Sequence, residues 1–264
     1  MNAFDYHRPA STADAIAALG SSTDGRLIAG GQSLLPAMKL GLAAPTDLID
    51  LAGIALLRGI THQSGSITIG AMSTHAEVAR SDAVRSAIPA LAGLADGIGD
   101  QQVRARGTIG GSLANNDPAA CYPSAVLALK GVIKTNRRNI DADDFFTGIY
   151  QTALDPQEVI ESVSFAQPVA AAYIKFRQPA SHYALVGVFV ARFADGVRVA
   201  VTGSAACAFR VPALEQALSA NWSPKAARAI KVDASELNSD LHASAEYRAH
   251  LIPVLAARAV VASH

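Results

Sequence analysis

The chain has 264 residues, half of them hydrophobic and 17% charged. That is ample material for a core and too little charge for disorder, and the length fits one large domain or two to three small ones. Lysine plus arginine equals aspartate plus glutamate at 22 each, so the formal charge is zero. With aromatics at only 6%, such a chain lacks the basic, base-stacking surface of a nucleic-acid binder. Two cysteines, Cys121 and Cys207, build neither a disulfide framework nor a four-cysteine zinc or iron–sulfur site. The start carries no apolar leader, and no run of about 18 apolar residues occurs. The expectation is a cytoplasmic chain with no membrane span.

In chain order, Ser11 is placed to cap a helix carrying Ile16 and Leu19, with Gly20 as its stop. Residues 26–29 form a short strand that runs into Gly30-Gly31-Gln32-Ser33. A helical pattern through Leu34, Leu35 and Met38 follows, then a second strand at residues 47–50. Residues 60–69 read as a hairpin about 63–66, Thr74 and Glu77 have capping-box spacing, and a small-residue helix spans 90–95. Residues 97–118 read as a loop-rich stretch. Residues 132–134 and 159–165 are strands around an acidic, aromatic turn, Asp143-Asp144-Phe145-Phe146. Gln167-Pro168 marks a boundary. Beyond it, residues 172–177, 185–190 and 197–201 read as strands, the last two joined at Asp195-Gly196. Helices are expected near 212–218 and 225–231, and a last helix carries Tyr247, Leu251, Val254 and Leu255 with a kink at Pro253. The fold class is α+β.

Two segments share a composition: Ala29-Gly30-Gly31-Gln32-Ser33-Leu34-Leu35-Pro36 and Gly107-Thr108-Ile109-Gly110-Gly111-Ser112-Leu113-Ala114. Each sets a glycine pair before a serine and ahead of a helical pattern. Paired glycines permit positive φ and let amides converge on an anion, serine adds a hydroxyl, and the helix start adds a favourable dipole. One such loop alone is most often a plain strand-to-helix turn. Two together can clasp one diphosphate from both sides. Neither is a G-x-G-x-x-G fingerprint or a P-loop, so a dinucleotide here is held by another architecture. The seven histidines show no ligand spacing, and no serine–histidine–aspartate order stands out, so no metal site and no general base is assigned.

These residues resemble the FAD-binding medium subunits of molybdenum hydroxylases, the family of the carbon monoxide dehydrogenase medium subunit and the xanthine dehydrogenase FAD domain. The first glycine segment is similar to that family's first flavin loop. Val103-Arg104-Ala105-Arg106 with the second segment, followed by Asn116-Asp117-Pro118, is similar to the second. Ile69-Gly70-Ala71, Asp144-Phe145-Phe146, Tyr173 with Lys175, and Glu246-Tyr247-Arg248 with His250-Leu251 fit in order, so the likeness runs nearly end to end.

The resemblance implies a vanillyl-alcohol-oxidase/PCMH-type FAD-binding domain at 1–166, made of two α/β subdomains (about 1–55 and 56–166). A C-terminal sheet-and-helix domain of the carbon monoxide dehydrogenase flavoprotein type follows at 167–264. It implies FAD on this chain, a large partner with molybdopterin cytosine dinucleotide, a small partner with two [2Fe–2S] clusters, and a complex that is doubled. Carried over by position, the residues that hold FAD are Ala29, Gly30, Gly31, Gln32, Ser33 and Leu34, then Thr108, Ile109, Gly110, Gly111 and Ser112. Cys121 falls where the family binds a ribose or ribityl hydroxyl, with Asn115, Asn116 or Asp117 placed to take over that contact; Ile160 lies against the adenine or flavin end, and Lys175 sits near the flavin with Tyr183 over one face. Arg104 and Arg106 bind phosphate, pair with Asp100 or face a partner. Cys121 is a departure, because the family usually places an aspartate there and a thiol is a weak hydrogen-bonding group. Two rival readings remain open: a standalone flavin oxidoreductase, and an assembly protein that has lost the cofactor.

Overall fold

The structure is a computed structural model that describes residues 2–263. Ser11 caps the first helix, its hydroxyl oxygen accepting from the Asp14 amide. Strand β1 (Asp5–His7) and helix α1 (Thr12–Ser21) lead into β2 (Gly25–Ile28), α2 (Leu34–Lys39) and β3 (Asp47–Asp50). The three strands pair in parallel in the order β1-β3-β2. Parallel pairing needs crossover connections, and this places the first glycine loop at the end of β2, just before its crossover helix. The helix does not stop at Gly20 but runs one residue further, because a glycine in a last turn costs little.

Strands β4 (Ile60–Gln63) and β5 (Ser66–Gly70) form the expected hairpin. Six helices follow: α3 (His75–Arg80), α4 (Asp82–Ala87), α5 (Pro89–Asp96), α6 (Gln101–Arg106), α7 (Ile109–Asn115) and α8 (Tyr122–Ala128). Thr74 and Glu77 make a complete capping box on α3. The stretch read as loop at 97–118 is therefore mostly helix. Asp100 and Thr108 cap α6 and α7, accepting from the amides of Val103 and Gly111. Helices this short show too little periodicity to register as such in the sequence. Next come β6 (Val132–Thr135), β7 (Asn139–Asp141), α9 (Ala142–Phe145), β8 (Phe146–Gly148), β9 (Gln151–Thr152) and β10 (Ile160–Ala166). An antiparallel sheet in the order β4-β5-β10-β6-β7 results, with the acidic, aromatic turn folded as α9 and the start of β8.

The last hundred residues form a four-stranded meander, β11 (Ala170–Arg177), β12 (Ala184–Phe193), β13 (Gly196–Thr202) and β14 (Phe209–Arg210), followed by α10 (Pro212–Ala220), α11 (Pro224–Arg228) and α12 (Ala245–Ala262). Helix α11 stops at Arg228, short of the expected Lys231. The chain stays helical across Pro253. Proline inside a helix costs roughly 3 kcal/mol, which the burial of Leu251, Ile252 and Leu255 offsets. The meander is buried on both faces. Ala171, Phe189, Ala191 and Ala200 join the core of the second sheet and helices α3–α5, α7 and α8, while Val186, Val188, Val190 and Val199 join the core under α10–α12. Double burial is why β12 reads as an unbroken apolar run. Helix α8, buried at every position, packs on β12 and β13. Among the described residues, no helix is long and apolar enough to cross a membrane.

Candidate functional site

The two glycine loops are neighbours. A methyl on Gly30 would run into the carbonyl oxygen of Arg106, and one on Gly111 would lie 3.3 Å from the Ala29 Cβ. They are not equivalent. In the first loop Gly31 has φ of +75°, and the amides of Gly30, Gly31, Gln32, Ser33 and Leu34 have no partner among the described residues. The Ser33 hydroxyl makes no capping bond. These are unspent donors on one curved backbone, the requirement for holding an anion.

The second loop departs from the expectation of converging amides. The Ile109 amide donates to the Ser73 carbonyl at 3.1 Å, that of Gly110 to the Ala71 carbonyl at 2.8 Å, and that of Gly111 to Thr108 Oγ1 at 3.1 Å. Gly110 and Gly111 are helical and do not take positive φ. Their glycine identity serves close approach: a methyl on Gly110 would lie 2.6 Å from the Ala71 Cβ. The second loop thus offers a smooth wall and the Ser112 hydroxyl rather than a nest of amides.

Both loops open on one cleft of about 670 Å³. Of the residues expected at the site, Ala29, Gly30, Gly31, Gln32, Ser33 and Leu34 line it from one loop; Thr108, Gly110, Gly111 and Ser112 line it from the other. Asp117, Cys121, Ile160, Lys175 and Tyr183 complete the lining. Two do not belong to it. Ile109 is fully buried in the core below. Asn116 is fully buried with φ of +42°, and its Nδ2 donates to the carbonyls of Gly148 and Gln151 at 2.9 and 2.7 Å. It ends α7 and staples a turn. Nor does Arg104 pair with Asp100: its Nη1 donates to the carbonyls of Ile98 and Gly99, and its nearest carboxylate is Asp96 at 3.7 Å. Arg106 borders a separate, smaller cavity with Arg58 and Glu77.

Sequence reasoning missed His75 and Glu158. His75 lies under the second loop, packed on the Tyr122 ring at 5.3 Å. Burial, with help from the Arg104 charge, lowers its pKa to about 4, so it is neutral at pH 7. Its only sequence signal is its place just after the Thr74 cap. Glu158 lines the cleft two residues before Ile160, its side chain fully buried. Its carboxylate accepts from Arg138 Nε and Nη2 at 3.0 Å each, from Thr135 Oγ1 at 2.7 Å and from the Asp155 amide at 2.9 Å. Hydrogen bonding from Arg138 is the chief cause that holds its pKa at about 2. Also in the lining, Lys175 Nζ donates to the Gly97 carbonyl at 2.7 Å and lies 3.5 Å from Cys121 Sγ.

A cleft lined by unspent amides, by apolar side chains such as Leu154 and Ile160, and by a lysine suits a dinucleotide with a flat redox ring. Residues 2–168 match the family described as the FAD binding domain in molybdopterin dehydrogenase. The chain belongs to this family of FAD-binding subunits of oxidoreductase complexes. It is 38% identical to the nicotine 6-hydroxylase medium subunit of Paenarthrobacter nicotinovorans, over 99% of this chain and 97% of that one. Among solved structures it is similar to carbon monoxide dehydrogenase from Hydrogenophaga pseudoflava, with a TM-score of 0.88 at 34% identity over 99% of this chain and 97% of that one. It is also similar to quinoline 2-oxidoreductase from Pseudomonas putida 86, with a TM-score of 0.89 at 29% identity over 99% and 96%.

Proposed function

We propose that the chain is the electron-transfer subunit of a heterotrimeric molybdenum hydroxylase-type dehydrogenase. Electrons come from [2Fe–2S] clusters on a small partner, pass through FAD on this chain, and leave to an external acceptor. A large partner with molybdopterin cytosine dinucleotide oxidises the organic substrate, and the whole complex is doubled and cytoplasmic. In this reading residues 1–166 are the FAD domain and 167–264 the flavoprotein domain beside it. The observation that carries it is the single cleft in which the free amides of Gly30 to Leu34 face the second glycine loop. Two cysteines cannot ligate an iron–sulfur cluster, so a reaction that passes through clusters needs another subunit.

When bound, FAD supplies a centre that exchanges one or two electrons. The chain's own groups do the rest. The amides of Gly31, Gln32, Ser33 and Leu34 and the hydroxyls of Ser33 and Ser112 grip the diphosphate. Leu154 and Ile160, apolar residues of the lining, exclude water. Lys175, held in place by the Gly97 carbonyl, sets a positive charge against negative charge on the reduced ring. Tyr183, on the turn between β11 and β12, covers a ring face.

The test is purification of the assembled protein with its partners. A yellow complex that releases FAD on denaturation and contains molybdenum and iron is expected. A colourless complex overturns the reading in favour of an assembly protein. Rapid stopped-flow reduction of the isolated, FAD-loaded chain by an organic substrate overturns it in favour of a standalone oxidoreductase.

A further inference from the structure

Strand β13 ends at Thr202, a fully buried residue that does not itself line the cleft. Its hydroxyl lies 2.6 Å from the carbonyl oxygen of Ala120 and 2.9 Å from that of Pro118. Gly203 donates its amide to the same Pro118 carbonyl at 2.8 Å. Pro118 and Ala120 belong to the segment 117–121, whose Asp117, Ala119, Ala120 and Cys121 make one wall of the cleft. Inside that wall, the Asp117 carboxylate accepts from the Ala119 amide at 2.8 Å and the Asp117 carbonyl from the Ala120 amide at 2.9 Å. Those internal bonds shape the turn. The bonds from Thr202 and Gly203 decide where it stands.

A hydroxyl has one proton, so Thr202 serves the nearer Ala120 carbonyl while the Gly203 amide serves Pro118. Without that hydroxyl the Ala120 carbonyl loses its donor. The anchor is itself held firmly. Gly203 has φ of +85°, and a methyl there would meet the Ala184 carbonyl oxygen. Its own carbonyl accepts from Arg248 Nη1 at 2.8 Å. Arg248 is 2% exposed and also donates to the Leu185 carbonyl at 2.6 Å and to Asp240 Oδ2 at 2.7 Å. A rigid strut therefore runs from α12 through the end of β13 to the cleft wall.

We propose that Thr202 is a positioning residue for the cofactor: its hydroxyl sets the 117–121 wall and thereby how tightly the chain holds FAD. The inference rests on the reading that this cleft takes FAD. It makes the C-terminal sheet a working part of the binding site rather than a neighbour of it.

The experiment titrates the full chain with FAD, following flavin fluorescence and the visible circular dichroism of the bound flavin. Wild type is compared with Thr202→Val, Thr202→Ser and Thr202→Cys, and the unfolding midpoint of each FAD-free chain is measured alongside. Val keeps the shape without the proton, and is expected to weaken FAD binding roughly tenfold and to alter the visible dichroism. Ser is expected to match wild type, and Cys, a weak donor, to fall between. A Val chain with a lower midpoint but the wild-type dissociation constant and dichroism overturns the inference, since that is what a merely structural role produces. If the Val chain does not fold, Ser and Cys decide the matter, and equal affinities for the two overturn it. Failure of the wild-type chain to take up FAD at any concentration overturns the functional reading and the inference together, whereas normal wild-type binding with an unaffected Val chain overturns the inference alone.

Discussion

Gly30 has no room for a side chain, because a methyl would enter the Arg106 carbonyl across the gap between the two loops. Gly30→Ala should therefore push the loops apart and weaken FAD binding by about tenfold to a hundredfold. A fluorescence titration checks this, and an unchanged dissociation constant would show that the loops tolerate separation. Glu158 is a different kind of residue, a buried carboxylate satisfied by four donors. Glu158→Gln removes the nearer of the two carboxylates that pair with Arg138, leaving Asp155 at 3.7 Å, and should lower the urea midpoint at pH 7. The pH dependence follows from the sign of the shift. The folded carboxyl titrates at about 2 against an ordinary 4.5, so its stabilisation is full above pH 4.5 and is lost as pH falls through 2. The gap between wild type and Glu158→Gln should accordingly narrow as the urea series is taken below pH 4.5, and a constant gap would refute the assignment. Neither contact was legible in the sequence. Arg138 and Glu158 lie 20 residues apart on separate elements, and no spacing rule connects them.

At the scale of elements, the glycine loops were legible as a pair, but their division of labour was not. Composition alone makes both look like amide nests. The structure shows the second loop's amides already taken by Ser73, Ala71 and Thr108, which converts it into a wall. Thr108 is central to that conversion: it caps α7 and bridges to Thr74. Thr108→Ala should lower the unfolding free energy by about 1 kcal/mol, seen as a small drop in thermal midpoint. If the midpoint is unmoved, the cap contributes nothing. Helices α6 and α7 escaped sequence reading because each is under two turns or barely reaches them, although Asp100 and Thr108 stood at the right places to cap them.

At the scale of the whole molecule, the C-terminal meander has no free face. Residues 167–264 expressed alone would expose Ala171, Phe189, Ala191 and Ala200, which the intact chain buries against the helices of the first part. That fragment should associate or remain loosely packed, with poor dispersion in its amide NMR spectrum. A sharp, dispersed monomer spectrum would show that the two cores are separable.

The sequence by itself determined the α+β class, the hairpins at 60–69 and 185–201, and the two glycine loops, each ahead of a helical pattern. These are local patterns, written in neighbouring residues and in the periods of strand and helix. Only the tertiary structure decided which loop keeps its amides free, why Ile109 and Asn116 turn away from the cleft, and how Lys175 meets Gly97 and Thr202 meets Ala120. Those contacts join residues 78 and 82 positions apart. They exist because packing of the meander on α5 and α8 brings distant segments together, and no short-range preference of either partner encodes that closure.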